Sequence, residues 1–205
     1  MKLSYCGHSC FLLDSGEGRL VLDPYEPESV PGLVMPRLEA ELCLCSHSHH
    51  DHCFKEGIRL SGRSFPHPVK SFSSFHDEEG GSLRGDNRLH LICCPAMNIL
   101  HLGDLGHELS QEQILALGRV DLLLLPVGGT YTLDPIAAHR LAAALDARIV
   151  VPMHYRGEGF GYEETAPLSE FLELAQDIVH IPGPSVELSA IEGRAVLVFD
   201  SFLQG

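Results

Sequence analysis

The sequence predicts an α/β layered sandwich, in which helices cover the outer faces of β-sheets. Three observations carry this. The first third consists of short strand-like runs parted by glycine-containing turns, the later strands alternate with helical segments, and two of those helices begin with recognisable capping residues.

Taken in order, residues 1–6, 11–14, 19–23 and 41–46 read as strands of an antiparallel meander, the first three joined by turns that contain glycine. Pro24, Pro27, Pro31 and Pro36 follow one another too closely for a regular element, so this stretch is expected to be a surface loop. Further strands are expected at residues 69–75, 89–94, 99–102, 122–127, 148–153 and 195–199. Ser110, followed three residues on by Gln113, has the form of a capping box with Ile114, Leu115 and Leu117 behind it. Asp134-Pro135 supplies an N-cap and a first-turn proline for a second helix that continues through residues 141–145. A third helix is expected over residues 169–176. There is no short-period repeat and no low-complexity tract in the sequence.

A chain of 205 residues can bury a substantial core, in one domain or in two closely fused halves. Its aliphatic runs, such as residues 122–125 and 149–151, fall far short of the roughly 20 apolar residues a membrane-spanning helix needs. Membrane insertion is therefore not expected. The first residues lack the basic patch and apolar stretch of a secretory signal, and a cytoplasmic location is the expectation. Seven cysteines, an odd number without scaffold spacing, fit free and mostly buried thiols in a reducing compartment. Cys53, which abuts a histidine cluster, is expected to be the oxidation-sensitive one. Fourteen basic against 28 acidic residues leave a formal charge of −14, which opposes attraction to phosphate backbones and anionic lipid. Nucleic acid is a poor partner on this ground; a small-molecule substrate is expected, and a homo-oligomer is left open.

Thirteen histidines are a heavy load, and several gather with an aspartate in His47-Ser48-His49-His50-Asp51-His52. The apolar stretch Leu42-Cys43-Leu44-Cys45 predicts a strand ending at Ser46, which places the cluster in the loop at that strand's mouth. His47 and His49, two apart in an extended segment, point the same way and can grip one ion. Asp51 and His52, after the chain turns, present to a second. Neutral imidazole and carboxylate are ligands preferred by zinc and similar first-row metals. No cysteine is assigned as a ligand.

This run matches the HxHxDH signature, and on it the chain resembles the metallo-β-lactamase superfamily. The likeness extends to Gly7-His8-Ser9-Cys10-Phe11, Leu22-Asp23-Pro24, Gly103-Asp104-Leu105-Gly106-His107 and residues 126–132. These segments look like the branch of ascorbate-6-phosphate lactonase-like proteins and, more distantly, N-acyl-phosphatidylethanolamine phospholipase D. The resemblance implies a single domain over residues 1–205, a four-layer αββα sandwich with metals at one edge between the two sheets. It implies two divalent ions, zinc first, with Mn2+ or Fe2+ as alternatives. His47, His49 and His76 would hold the first, Asp51, His52 and His154 the second, with Asp104 bridging. His67 and His90 compete with His76, which is preferred because its distance from Asp104 resembles the family spacing. Residues 53–75 form a shorter span than many members have there, so no lactamase, glyoxalase or nuclease activity carries over from the fold.

A dinuclear site lowers the pKa of a bridging water and polarises a carbonyl or phosphoryl oxygen, making hydrolysis of a small ester, lactone or phosphodiester the expected reaction. Asp51 and Asp104 offset positive charge and orient the attacking group. For the acid or oxyanion donor the sequence offers His8, in a turn between the first strands, and Tyr131, just after Gly128-Gly129. His101 and His107 flank Asp104 as candidate supports. Two readings compete with hydrolysis: an iron-dependent redox enzyme on the same scaffold, and a non-catalytic module stapled by its ions.

Overall fold

The computed structural model describes residues 1–204. β1 (Lys2–Gly7), β2 (Cys10–Asp14) and β3 (Arg19–Leu22) form the expected antiparallel meander. Beyond the proline-rich loop come β4 (Leu38–Ala40) and β5 (Leu42–Leu44), and here the structure corrects the expectation for residues 41–46, because β5 pairs with β3 in parallel. The loop returns the chain across the sheet before β5 starts, as a parallel pairing requires. β6 (Ile58–Leu60) joins β4 in a separate two-stranded ribbon.

β7 (Val69–Phe75), β8 (Asp86–Cys93) and β9 (Asn98–His101) make a second antiparallel set. Helices then alternate with strands: α1 (Gln111–Leu117), β10 (Leu122–Pro126), α2 (Pro135–Leu145), β11 (Ile149–Met153) and α3 (Leu168–Leu172). β12 (Ile178–Ile181), β13 (Ser185–Glu187) and β14 (Ala195–Phe199) complete the chain. Two sheets result, ordered β13-β1-β2-β3-β5 and β12-β14-β11-β10-β9-β8-β7. In the second, β9 through β12 of the spatial order run parallel, an arrangement that buries both faces. Accordingly every residue of β10 and β11 is buried.

The first sheet instead alternates. Leu3, Tyr5, Phe11, Leu13, Leu20 and Leu22 enter the main core, where they meet residues of the second sheet. Cys6, Cys10 and Val21 face the other way, into a smaller cluster with Tyr25, Val30 and Leu33. The proline-rich loop and the β4–β6 ribbon thus cover the outer face of the first sheet, while at the second α2 packs on β10 and α3 packs on α2. Among the described residues no helix is long and apolar enough to cross a membrane.

The capping signals have the expected effect. Ser110 and Gln113 exchange both bonds of a capping box, and the Asp134 carboxylate accepts from Ala137 N at 2.7 Å ahead of Pro135. The third helix is shorter than the expected 169–176: it follows Pro167, has no side-chain cap, and ends at Leu172. β4, β6, β12 and β13 were not anticipated, since three or four residues hold too little alternation to register as strands. The cysteine expectation also needs correction. Cys45 and Cys53 form a disulfide, with Cα atoms 5.3 Å apart across the turn of residues 47–52, and the other five are free. A single local pair within an odd total leaves no framework pattern to read.

Asp134→Ala is expected to cost about 1 kcal/mol and to lower the Tm by roughly 2–4 °C. Thermal denaturation checks this; an unchanged Tm would mean that packing alone fixes the start of α2.

Candidate metal centre

β1, β5, β7, β9 and β11 release the chain at one edge of the sandwich. In each sheet the strands of this set point the same way, because β1 and β5 both run parallel to β3, and β7 and β11 to β9. His8, the loop of residues 47–52, His76, Asp104 and His154 each follow the end of one of these strands. They meet between the sheets.

Asp104 is the hub and is 1% exposed. Its Oδ2 lies 3.1 Å from Nε2 of His52 and of His76, 3.2 Å from Nε2 of His154 and 4.0 Å from Nε2 of His47. Ligand atoms about 2.1 Å from a tetrahedral ion sit about 3.4 Å from one another, so these are separations expected of atoms sharing a cation. Three groupings offer ligand atoms within 4.8 Å of each other: His47, His49 and His76; His8, Asp51, His52 and His154; and Asp23 with His47 and His52. Oδ1 of Asp104 and Nε2 of His47 and His52 are buried without a hydrogen-bond partner. Orphaned buried polar atoms are costly, and a bound cation would satisfy all three. The residues present fit a metal.

Behind them stands Asp23, fully buried, in the left-handed region at φ 43° just past β3. Its Oδ2 bonds His52 Nδ1 at 2.8 Å and accepts from Ser46 Oγ at 2.6 Å, while Oδ1 accepts from Ser46 N at 2.7 Å. Ser46 Oγ in turn lies 2.8 Å from His47 Nδ1. One carboxylate therefore orients two imidazoles so that each presents Nε2 inward, the carboxylate–histidine arrangement common at metal sites. Gly103 fits against Ser46 at φ 53°; a Cβ there would strike the Ser46 side chain and the Asn87 carboxamide. Asn87 Oδ1 accepts from Asp104 N at 3.1 Å, which fixes the hub itself.

His8 and His154 face each other across the sheets. Both are non-glycine residues with φ 53°, a strained conformation that surrounding structure must impose. The imposing contacts are visible: His154 N donates to the His8 carbonyl at 3.1 Å, as does the Tyr5 hydroxyl at 2.8 Å. His8 Nε2 lies 3.4 Å from Asp51 Oδ2, to which the Tyr162 hydroxyl also comes within 3.0 Å.

Titration in this cluster is divided. Burial and the nearby His154 hold His8 down to about 4, and burial with His52 holds His47 down to about 3. Burial opposes the charged form of His52 too, but Asp104 and Asp23 outweigh it and raise that imidazole well above its usual range. Burial likewise opposes ionisation of Asp104, yet His154 and His52 keep its carboxyl well below the ordinary carboxylate value. Asp23 is held at about 2, because His101, His52 and His47 overcome its burial.

The structure thus brings together His8, His47, His49, Asp51, His52, His76, Asp104 and His154. Tyr131 lies on the wall of a cleft of about 430 Å³ above them, its ring 6.5 Å from that of His154. His67 and His90 fall outside these groupings; His90 bonds Ser71 and the Cys45 carbonyl. His101 is fully buried and lies 3.0 Å from the Ser9 carbonyl, and His107 accepts from Phe75 N, so both serve the fold. Sequence reasoning passed over Asp23, Tyr162 and Arg84. A strand-end Leu-Asp-Pro was a signal for the first. Tyr162 and Arg84 lie in loops with no local pattern, and both line the cleft.

A sequence profile for the beta-lactamase superfamily domain matches residues 2–154. Relatives include a UPF0173 metal-dependent hydrolase of Alkaliphilus metalliredigens, 25% identical over 76% of this chain and 85% of the relative. Another, from Thermoplasma acidophilum, is 28% identical over 76% and 83%. Among solved structures, a putative zinc-dependent hydrolase of the metallo-beta-lactamase superfamily from Thermotoga maritima superposes with a TM-score of 0.78 at 30% identity, covering 97% of each chain. The isothiocyanate hydrolase from Delia radicum gut bacteria, at 15% identity, TM-score 0.64 and coverage of 84% and 91%, is alike in fold alone.

Asp23→Asn is expected to weaken zinc binding by about 10- to 100-fold, because a carboxamide has a single acceptor oxygen and cannot serve both Ser46 N and His52 Nδ1. Competition with a chromophoric chelator measures this, and parental affinity in the variant would remove Asp23 from a supporting role.

Proposed function

Because the chain belongs to the metallo-β-lactamase superfamily, we propose that it is a metal-dependent hydrolase whose cluster holds two divalent ions, zinc first, against a small ester, lactone or phosphodiester. One observation carries this reading: histidines from both sheets converge on the buried Asp104 carboxylate within 3.1–4.0 Å. The names of the relatives, metal-dependent hydrolases, support the reaction class.

His47, His49 and His76 would hold one ion and Asp51, His52 and His154 the other, with Asp104 between them. Bound there, such ions would supply an activated water near neutral pH and polarise a carbonyl or phosphoryl oxygen. The remaining work falls to the chain. Asp51 keeps its carboxyl ionised, since the His8 contact and His52 outweigh its burial, and it accepts the Tyr162 hydroxyl. It can therefore serve as an anionic ligand and orient a hydroxyl donor such as that of Tyr162. His8, buried and held neutral at pH 7, acts as the positioning group for Asp51 and not as the acid. Tyr131, on the cleft wall near His154, is the hydroxyl assigned in this reading to donate to a substrate oxygen, its presence among the lining residues being the support. The cleft volume suits a small molecule.

Metal analysis after reconstitution is expected to give two ions per chain, with turnover of at least one class in a panel of activated phosphodiesters, lactones and thioesters. Asp104→Ala should lower kcat by at least about a hundredfold, roughly 3 kcal/mol of barrier, while circular dichroism stays unchanged. Retained turnover in that variant would overturn the bridging role. Oxygen uptake by the iron-loaded protein, with no hydrolysis, would favour redox chemistry instead.

A further inference from the structure

The cleft over the cluster is lined by one basic side chain other than histidine, Arg84, which is half-buried. Its guanidinium lies 5.6 Å from the centre of the Tyr131 ring, within cation–π range. Arg19, Arg59, Arg63, Arg119, Arg140 and Arg194 each enter an ion pair with a carboxylate. Arg84 enters none among the described residues. Arg37, Arg88, Arg148 and Arg156 pair with no carboxylate either, but Arg37 and Arg88 are exposed and Arg148 and Arg156 donate to backbone carbonyls, whereas Arg84 is the arginine that lines the cleft.

Its backbone is fixed, too. Asp77, directly after His76, spends Oδ1 on the N–H groups of Glu79 and Gly81, and Oδ2 on those of Leu83 and Arg84, at 2.7–3.1 Å. The turn is closed again by His76 N donating to the Gly85 carbonyl at 3.0 Å. Asp77 therefore does not neutralise Arg84; it folds the loop that carries it. The same short turn holds a candidate metal ligand at its start and Arg84 near its end, which ties the backbone at Arg84 to that of His76. A planar fork of donors suits a carboxylate or a phosphate.

We propose that Arg84, backed by Tyr131, forms a recognition subsite for an acid group that the substrate carries away from its scissile bond. The proposal rests on the hydrolytic reading for the word substrate, but its test requires no turnover. Butyrate, glutarate and 4-phosphonobutyrate share one carboxylate, for the ions, and differ at the far end in bearing a methyl, a carboxylate or a phosphonate. Calorimetry on the zinc-loaded protein is expected to show at least about tenfold tighter binding of glutarate or 4-phosphonobutyrate than of butyrate. Which of the two gains identifies the acid as a carboxylate or a phosphate. Arg84→Ala should erase the preference, as should Arg84→Gln, which keeps much of the stem against Tyr131, while zinc content stays at the parental level. Absence of a preference in the parent, its survival in the variants, or loss of zinc in both would overturn the proposal. If the preference holds while every ester, lactone and phosphodiester stays intact, the subsite stands and the hydrolytic reading fails.

Discussion

A carboxylate with 1% exposure, placed under four imidazole nitrogens, sets the terms for the rest of this structure. Burial alone would drive Asp104 to protonate. Its neighbours prevent that by themselves charging, and the directions of shift at His52 and His76 record the exchange: burial opposes the charge on each, and Asp104, with Asp23 at His52 and a backbone hydrogen bond at His76, outweighs it. Protons are nevertheless an incomplete substitute for a cation. His47 is left neutral with Nε2 unpartnered, and Oδ1 of Asp104 has no donor at all. A metal resolves both, and protons and metal then compete for the same nitrogens.

That demand propagates outward through close contacts. Ser46 must sit where it can serve Asp23 and His47 together, so the Gly103 turn that delivers Asp104 has to pass it without a side chain. Gly128 is fixed in the same way, since a Cβ there would strike the carbonyl of His154. On the far side of the histidine loop the Cys45–Cys53 bond closes the ends of the segment that contains His47, His49, Asp51 and His52. The loops that carry the candidate ligands are held by neighbours such as Ser46, Gly103 and Gly128, which is the usual way a site keeps its geometry.

How much of this was legible in the sequence depended on the length over which each signal is written. The run from His47 to His52 concentrates four imidazoles and a carboxylate after an apolar strand, and it announces both the chemistry and the strand mouth. Ser110 and Asp134 announced their helices because caps act locally. His76, Asp104 and His154 are single residues at strand ends; the family pattern distinguished them from His67, His90 and His101, of which the last two prove to bond backbone carbonyls. The parallel pairing of β5, the return of β13 to β1 and the disulfide were not readable, because each is decided by where a loop carries the chain and not by any pattern within the element. Tyr162 reaches Asp51 from 111 residues away, a separation at which no local rule operates.

The two kinds of feature divide along functional lines. Residues fixed at strand ends sit on the rigid sheets and supply chemistry that many substrates share, whereas the cleft walls come from loops: residues 76–85 after β7, Tyr131 after β10, and Tyr162 between β11 and α3. A loop that folds on its own backbone, as the Asp77 turn does, can be lengthened or exchanged without moving the strand that ends at His76. Selectivity in this scaffold is therefore separable from metal binding in sequence while adjacent to it in space. Leu83, 69% exposed, and Arg84 both line the cleft and are placed by that turn, so its fold determines which surface an incoming molecule meets before it reaches the histidine cluster.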